Sequence, residues 1–67
     1  MLNKQILEGK WKQLKGSIKE RWGKLTDDEI TQIEGNAEKL IGKVQERYGI
    51  TREKAEEQVN EFLEENE

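Results

Sequence analysis

The stretch Trp22-Gly23-Lys24-Leu25-Thr26-Asp27-Asp28-Glu29-Ile30 decides the fold, because it holds the end of one helix and the start of the next. Gly23 can close a preceding helix in the left-handed conformation that side chains disfavour. Thr26 and Glu29 have the spacing of a capping box, with Leu25 and Ile30 in the flanking hydrophobic-staple positions. Asp27 and Asp28 follow in the first turn, where the helix dipole favours negative charge. Upstream, Leu7, Trp11, Leu14, Ile18 and Trp22 recur at spacings of 4, 3, 4 and 4. At about 100° per residue they fall within about 80° of arc, a narrow apolar stripe on one long helix that Asn3 can cap. Downstream, the short second helix contributes Ile30 and Ile33 and ends at Gly35. A third runs from Asn36 to Tyr48, burying Ala37, Leu40, Ile41, Val44 and Tyr48, and Gly49 ends it. Beyond Ile50, Thr51 caps a fourth helix that carries Ala55, Val59, Phe62 and Leu63. The acidic tail, residues 64–67, is expected to fray. No segment alternates as a strand does, so the reading is all-α.

The chain also repeats itself. Shifted by 26 positions, Gly9, Leu14, Gly16, Glu20, Arg21 and Gly23 fall on Gly35, Leu40, Gly42, Glu46, Arg47 and Gly49. Ile18 then meets Val44, Trp22 meets Tyr48 and, one deletion later, Leu25-Thr26 meets Ile50-Thr51. Each unit is a long helix, a glycine turn, an apolar staple, a Thr cap and a shorter helix. One unit cannot bury its own stripe, so two α-hairpins, residues 3–34 and 35–63, are expected to pack face to face as a four-helix bundle within a single domain, residues 1–67. The six glycines form two triplets at seven-residue spacing, 9, 16, 23 and 35, 42, 49. Gly16 and Gly42 lie inside helices and face away from the stripe, where each costs about 1 kcal/mol relative to Ala. Either another backbone approaches closely there, or each is a tolerated weak point.

Composition removes whole classes of chemistry. There is no Cys, His or Pro among the 67 residues, which excludes the usual zinc, haem, iron–sulfur and Cys- or His-based catalytic sites. No apolar run exceeds two residues, so no segment reads as a membrane span, and no apolar h-region follows the N-terminus. A cytoplasmic protein is the expectation. With 40% charged residues and a mean hydropathy of −1.11, the chain approaches the composition of disordered proteins. What argues for folding is where its apolar residues fall.

The motifs that suggest chemistry have simpler explanations. A phosphate-binding Walker loop needs four residues between its glycines and then Lys-Ser/Thr, whereas Gly35 and Gly42 enclose six and Lys43 is followed by Val44. The carboxylates of Asp27, Asp28 and Glu29 match neither a general acid–base pair nor an EF-hand, and a first-turn acidic cap accounts for them. Ser17, the only serine, has no histidine to activate it. No catalytic, cofactor-binding or metal-ligating residue is expected.

Charge carries more information. Residues 1–24 hold seven Lys/Arg against Glu8 and Glu20, a net of +5, while residues 25–67 hold five against thirteen acids, a net of −8. A basic helix bearing Trp11 and Trp22 can lie on anionic phosphate through Lys10, Lys12, Lys15, Lys19 and Arg21, whether of nucleic acid or of a membrane surface. Alternatively, both tryptophans are core and the basic half faces the acidic half of the same monomer. The second reading is the more economical, because a pI near 5.1 weakens non-specific attraction to phosphate.

Two runs carry a resemblance: Gly9-Lys10-Trp11-Lys12-Gln13-Leu14-Lys15-Gly16, and Lys19-Glu20-Arg21-Trp22-Gly23-Lys24-Leu25-Thr26-Asp27-Asp28. Ile33-Glu34-Gly35, Leu40-Ile41-Gly42-Lys43 and Gln45-Glu46-Arg47-Tyr48-Gly49 continue it. Over roughly residues 3 to 63 the chain closely resembles the CsbD-like family of small bacterial proteins. The resemblance implies a cytoplasmic protein of the general stress response and a bundle of two hairpins packed crosswise, similar to a SAM domain. It implies no catalytic residues. The expected function is a non-enzymatic accessory or interaction module, with a protein partner of unknown identity and with polyanion binding as the alternative.

Overall fold

The structure, a computed structural model, describes residues 4–66, and these form five α-helices: α1 (Lys4–Gly9), α2 (Trp11–Arg21), α3 (Asp27–Ile33), α4 (Ala37–Tyr48) and α5 (Arg52–Glu65). The expected four are five because the first long helix breaks. Lys10 takes φ −113° and ψ 21°, outside the helical region, directly after Gly9, where helix propensity is weakest. The ladder is bridged across the break, with the Lys10 N–H donating to the Ile6 carbonyl at 2.9 Å and the Lys10 carbonyl accepting from Leu14 at 2.9 Å. The proposed Asn3 cap lies outside the described residues.

The break rotates the stripe. Leu7, Leu14, Ile18 and Trp22 are buried as expected, but Trp11 is only half-buried against the edge of the core. Tyr48, expected inside, is also half-buried. Trp22 is the anchor: it is 2% exposed, meets Phe62 edge to face with centroids 5.3 Å apart, and donates its indole N–H to Gln58 Oε1 at 3.0 Å. That geometry satisfies the one polar atom such a ring carries into the interior. It joins the end of α2 to α5.

Three of the four remaining helix starts follow the local code. Thr26, Asn36 and Thr51 accept from the N–H of Glu29, Lys39 and Lys54 respectively, each three residues on. The capping box at Thr26 is complete. Helix ends are less uniform. Gly49 is left-handed at φ 61°, as expected, but Gly23 is not among the positive-φ residues. Instead α2 ends through Trp22 at φ −120°, and the Lys19 ammonium binds the Leu25 carbonyl at 2.7 Å across the turn. The two units of the repeat therefore turn by different means.

α3 closes with two successive left-handed residues, Glu34 at φ 43° and Gly35 at φ 79°. Gly35 is buried, and a Cβ there would lie 3.2 Å from the Cα of Glu8 and 3.4 Å from the Leu7 carbonyl. This is where one backbone crosses closely over another. Gly16 and Gly42 have nothing within 4 Å of an added Cβ, so the close-approach reading fails at both. Helix α5 runs through Glu65, and the Asn66 side chain donates back to the Phe62 carbonyl at 2.8 Å; Glu67, the last residue of the acidic tail, lies outside the described residues. α4 packs against α5, α3 and α1, while α2 packs against α1 and α3.

This packing sets the sign of several substitutions. Gly16→Ala and Gly42→Ala should each raise stability by about 1 kcal/mol, since space is free and φ is helical, whereas Ala at left-handed Gly49 should lower it by a similar amount. Urea denaturation midpoints read both signs. Trp22→Ala should cost about 3–5 kcal/mol and abolish the cooperative thermal transition, and Trp11→Ala should cost clearly less.

Candidate functional site

The five cations expected to form a phosphate-binding face do not act together. Arg21 turns toward α5, where it pairs with Glu65 at 2.6 Å and Glu61 at 3.6 Å. Its guanidinium also lies 5.7 Å from the Trp22 ring and 5.9 Å from the Phe62 ring, covering the aromatic pair. Lys19 holds the turn after α2 and sits 3.5 Å from Asp27. Lys10 donates to the Asn66 carbonyl at 3.2 Å, reaching the orphan acceptors at the end of α5. Lys12 and Lys15 are exposed and, among the described residues, have no hydrogen-bond or ion-pair partner. Two basic residues of the first third of the chain thus reach α5 and its end, Arg21 through two carboxylates and Lys10 through a backbone carbonyl.

A different charged group, absent from the sequence reading as anything but a cap, organises the opposite side. Glu29 is 5% exposed, the only buried charged residue among those described. One of its oxygens accepts from the Thr26 N–H at 2.9 Å. Both accept from Arg47 Nε on α4, at 2.9 and 2.8 Å, and Lys43 lies 3.8 Å away. The Thr26 N–H and then the Arg47 guanidinium hold this carboxyl at about 2 against an ordinary 4.5, outweighing the burial that would raise it. Arg47 is correspondingly raised by the same carboxylate. The available signal was Arg47 itself, a basic residue in the last turn of α4, but nothing in the sequence says which acid it faces.

Beside this cluster an open depression of about 710 Å³ lies between α3 and α4, lined by Thr31, Gln32, Glu34, Lys39, Gly42 and Lys43 among others. Its charges are mixed, with Lys39 and Lys43 beside Glu34 and Glu46. Among the described residues no group of three or more carboxylates is placed to hold a metal ion, and no helix is long and apolar enough to cross a membrane.

The fold and its charges define a small all-α protein in which several polar groups bind helices to one another. The chain belongs to the CsbD-like family, whose model matches residues 5–57. It is 57% identical over 65 residues to a UPF0337 protein of Bordetella pertussis, covering 97% of this chain and 98% of that one. Similarity extends to a UPF0337 protein of Pseudomonas aeruginosa, at 56% over 61 residues (91% and 94% of the two chains). The UPF0337 protein YjbJ of Escherichia coli K12 is 52% identical over 66 residues (98% and 96%). No solved structure matches the chain.

Glu29 sets an acid limit. Because its carboxyl is held lower in the folded chain than in the unfolded one, its stabilisation is complete above pH about 4.5 and disappears as pH falls towards about 2. Circular dichroism melts across that window should show a falling Tm. Glu29→Gln, which keeps a capping acceptor but no charge, should melt lower at neutral pH and show a flatter acid limb.

Proposed function

We propose that the protein is a non-enzymatic, cytoplasmic module of the bacterial general stress response, acting as a monomer through its charged surface. The observation that carries this reading is the internal engagement of Arg21, Lys19 and Lys10. It leaves Lys12 and Lys15 as the remnant of the basic face. Two exposed lysines displace too few counterions to hold a polyanion at physiological salt. A second reading draws on the same remnant: Lys12 and Lys15 adjoin half-buried Trp11, so a weak contact with a phosphate surface would centre there.

One comparison separates the two. A strain lacking the protein should survive stress less well, and both the native chain and its Lys12→Gln, Lys15→Gln variant should restore survival. Neither chain should shift duplex DNA or sediment with phosphatidylglycerol vesicles at about 0.15 M salt. Salt-sensitive binding by the native chain, lost together with rescue in the double variant, would replace the first reading by the second.

A further inference from the structure

Gly42 is the residue of α4 that packing within the chain leaves unexplained. It lies inside the helix, where glycine costs about 1 kcal/mol relative to Ala. It is exposed, an added Cβ there would meet nothing within 4 Å, and it lines the depression between α3 and α4. A bare stretch of helix surface lets a second helix come close, because no side chain holds it off.

The charges around this bare stretch select the second helix. Lys39, Gly42, Lys43 and Glu46 fall within about 100° of arc, on the side of α4 away from buried Leu40, Ile41 and Val44. Lys39 and Glu46 are exposed, and among the described residues neither side chain makes a hydrogen bond or ion pair. They stand about one helical turn to either side of the midpoint between Gly42 and Lys43. An antiparallel α4 laid across that midpoint sets Lys39 against Glu46 of the second copy, and Glu46 against its Lys39. The Lys43 stem then lies over Gly42 of the second copy. This is the self-complementary pattern that a two-fold axis requires. On α2 the repeat puts Gln13, Gly16, Ser17 and Glu20 at the same four places. That face has the bare glycine without the complementary charges.

We propose that two copies of this chain pair through α4, antiparallel across Gly42, with reciprocal Lys39–Glu46 contacts. The pairing is weak. α4 has 12 residues, about 18 Å of helix, so the contact falls below the range of about 1,200 Å² and more that stable complexes bury. Exposed ion pairs each add little to it. The monomeric module proposed above is therefore the dilute form, and the pair accumulates as the chain becomes abundant.

Sedimentation equilibrium on the full chain, from about 20 μM to about 2 mM, tests the pairing independently of any result on stress survival. The average mass should rise with concentration from 7.9 kDa towards twice that value. Lys39→Glu alone and Glu46→Lys alone set like charges opposite each other, and each should weaken pairing by at least about tenfold. An equimolar mixture of these two variants restores both opposite-charge contacts and should pair as the native chain does. Gly42→Leu should abolish pairing with its helical circular dichroism retained, whereas Gly16→Leu should leave pairing intact. If Gly42→Leu does not fold, the mixture decides. A native chain that stays monomeric at the highest concentration would overturn the proposal. So would pairing that survives Gly42→Leu, or a mixture that pairs no better than its components.

Discussion

The buried Glu29 carboxylate is the constraint around which one face of this protein is arranged. A charge taken out of water is tolerated only with its acceptor capacity filled, and here the Thr26 N–H and the Arg47 guanidinium fill it. The same oxygens therefore serve two purposes. They cap α3 locally and fasten it to α4, a helix whose contributing residue lies 18 positions away in the chain. Removing the carboxylate would orphan the Thr26 N–H at the start of α3 and take from Arg47 the acceptor it binds. A pair of this kind contributes as much to the register between helices as to net stability, because wrong registers leave a charge buried alone.

On the other face the joining is aromatic. Trp22, Phe62 and Gln58 lock α2 onto α5, and Arg21 lies over both rings while pairing with Glu61 and Glu65. Each exposed ion pair is worth little by itself. Their effect is on the surface that remains: Arg21 is matched by two acids of α5, Lys19 by Asp27, and Lys10 is drawn to the end of α5. A sequence that looks polarised along its length thus folds into a molecule whose basic face is much reduced.

The internal repeat is real in sequence but only partly real in structure. Thr26 and Thr51 cap equivalent helices in the same way. Gly23 and Gly49, also equivalent, do not behave alike: Gly49 is left-handed, whereas the turn at Gly23 is held by Lys19 on the Leu25 carbonyl and by the Lys24 N–H donating to the Tyr48 hydroxyl at 3.2 Å. Once two copies of a hairpin pack against each other, their turns meet different neighbours, and the contact made decides the backbone. The glycines that matter for closeness and handedness are Gly35 and Gly49, whereas a Cβ added at Gly16 or Gly42, inside α2 and α4, would meet nothing within 4 Å.

The sequence by itself determined what depends on neighbours within one or two helical turns. The all-α class, the caps at Thr26, Asn36 and Thr51, the left-handed Gly49 and the buried sides of α4 and α5 are all of this kind. Capping and amphipathic periodicity act over three or four residues, so a linear pattern contains them in full. Tertiary structure decided the half-exposure of Trp11, the Glu29–Arg47 pairing and the crossing at Gly35. It also decided which cations of the expected phosphate face would be engaged. These features depend on which groups other helices bring within about 3–4 Å, and at that range hydrogen bonds and backbone contacts outweigh local propensity.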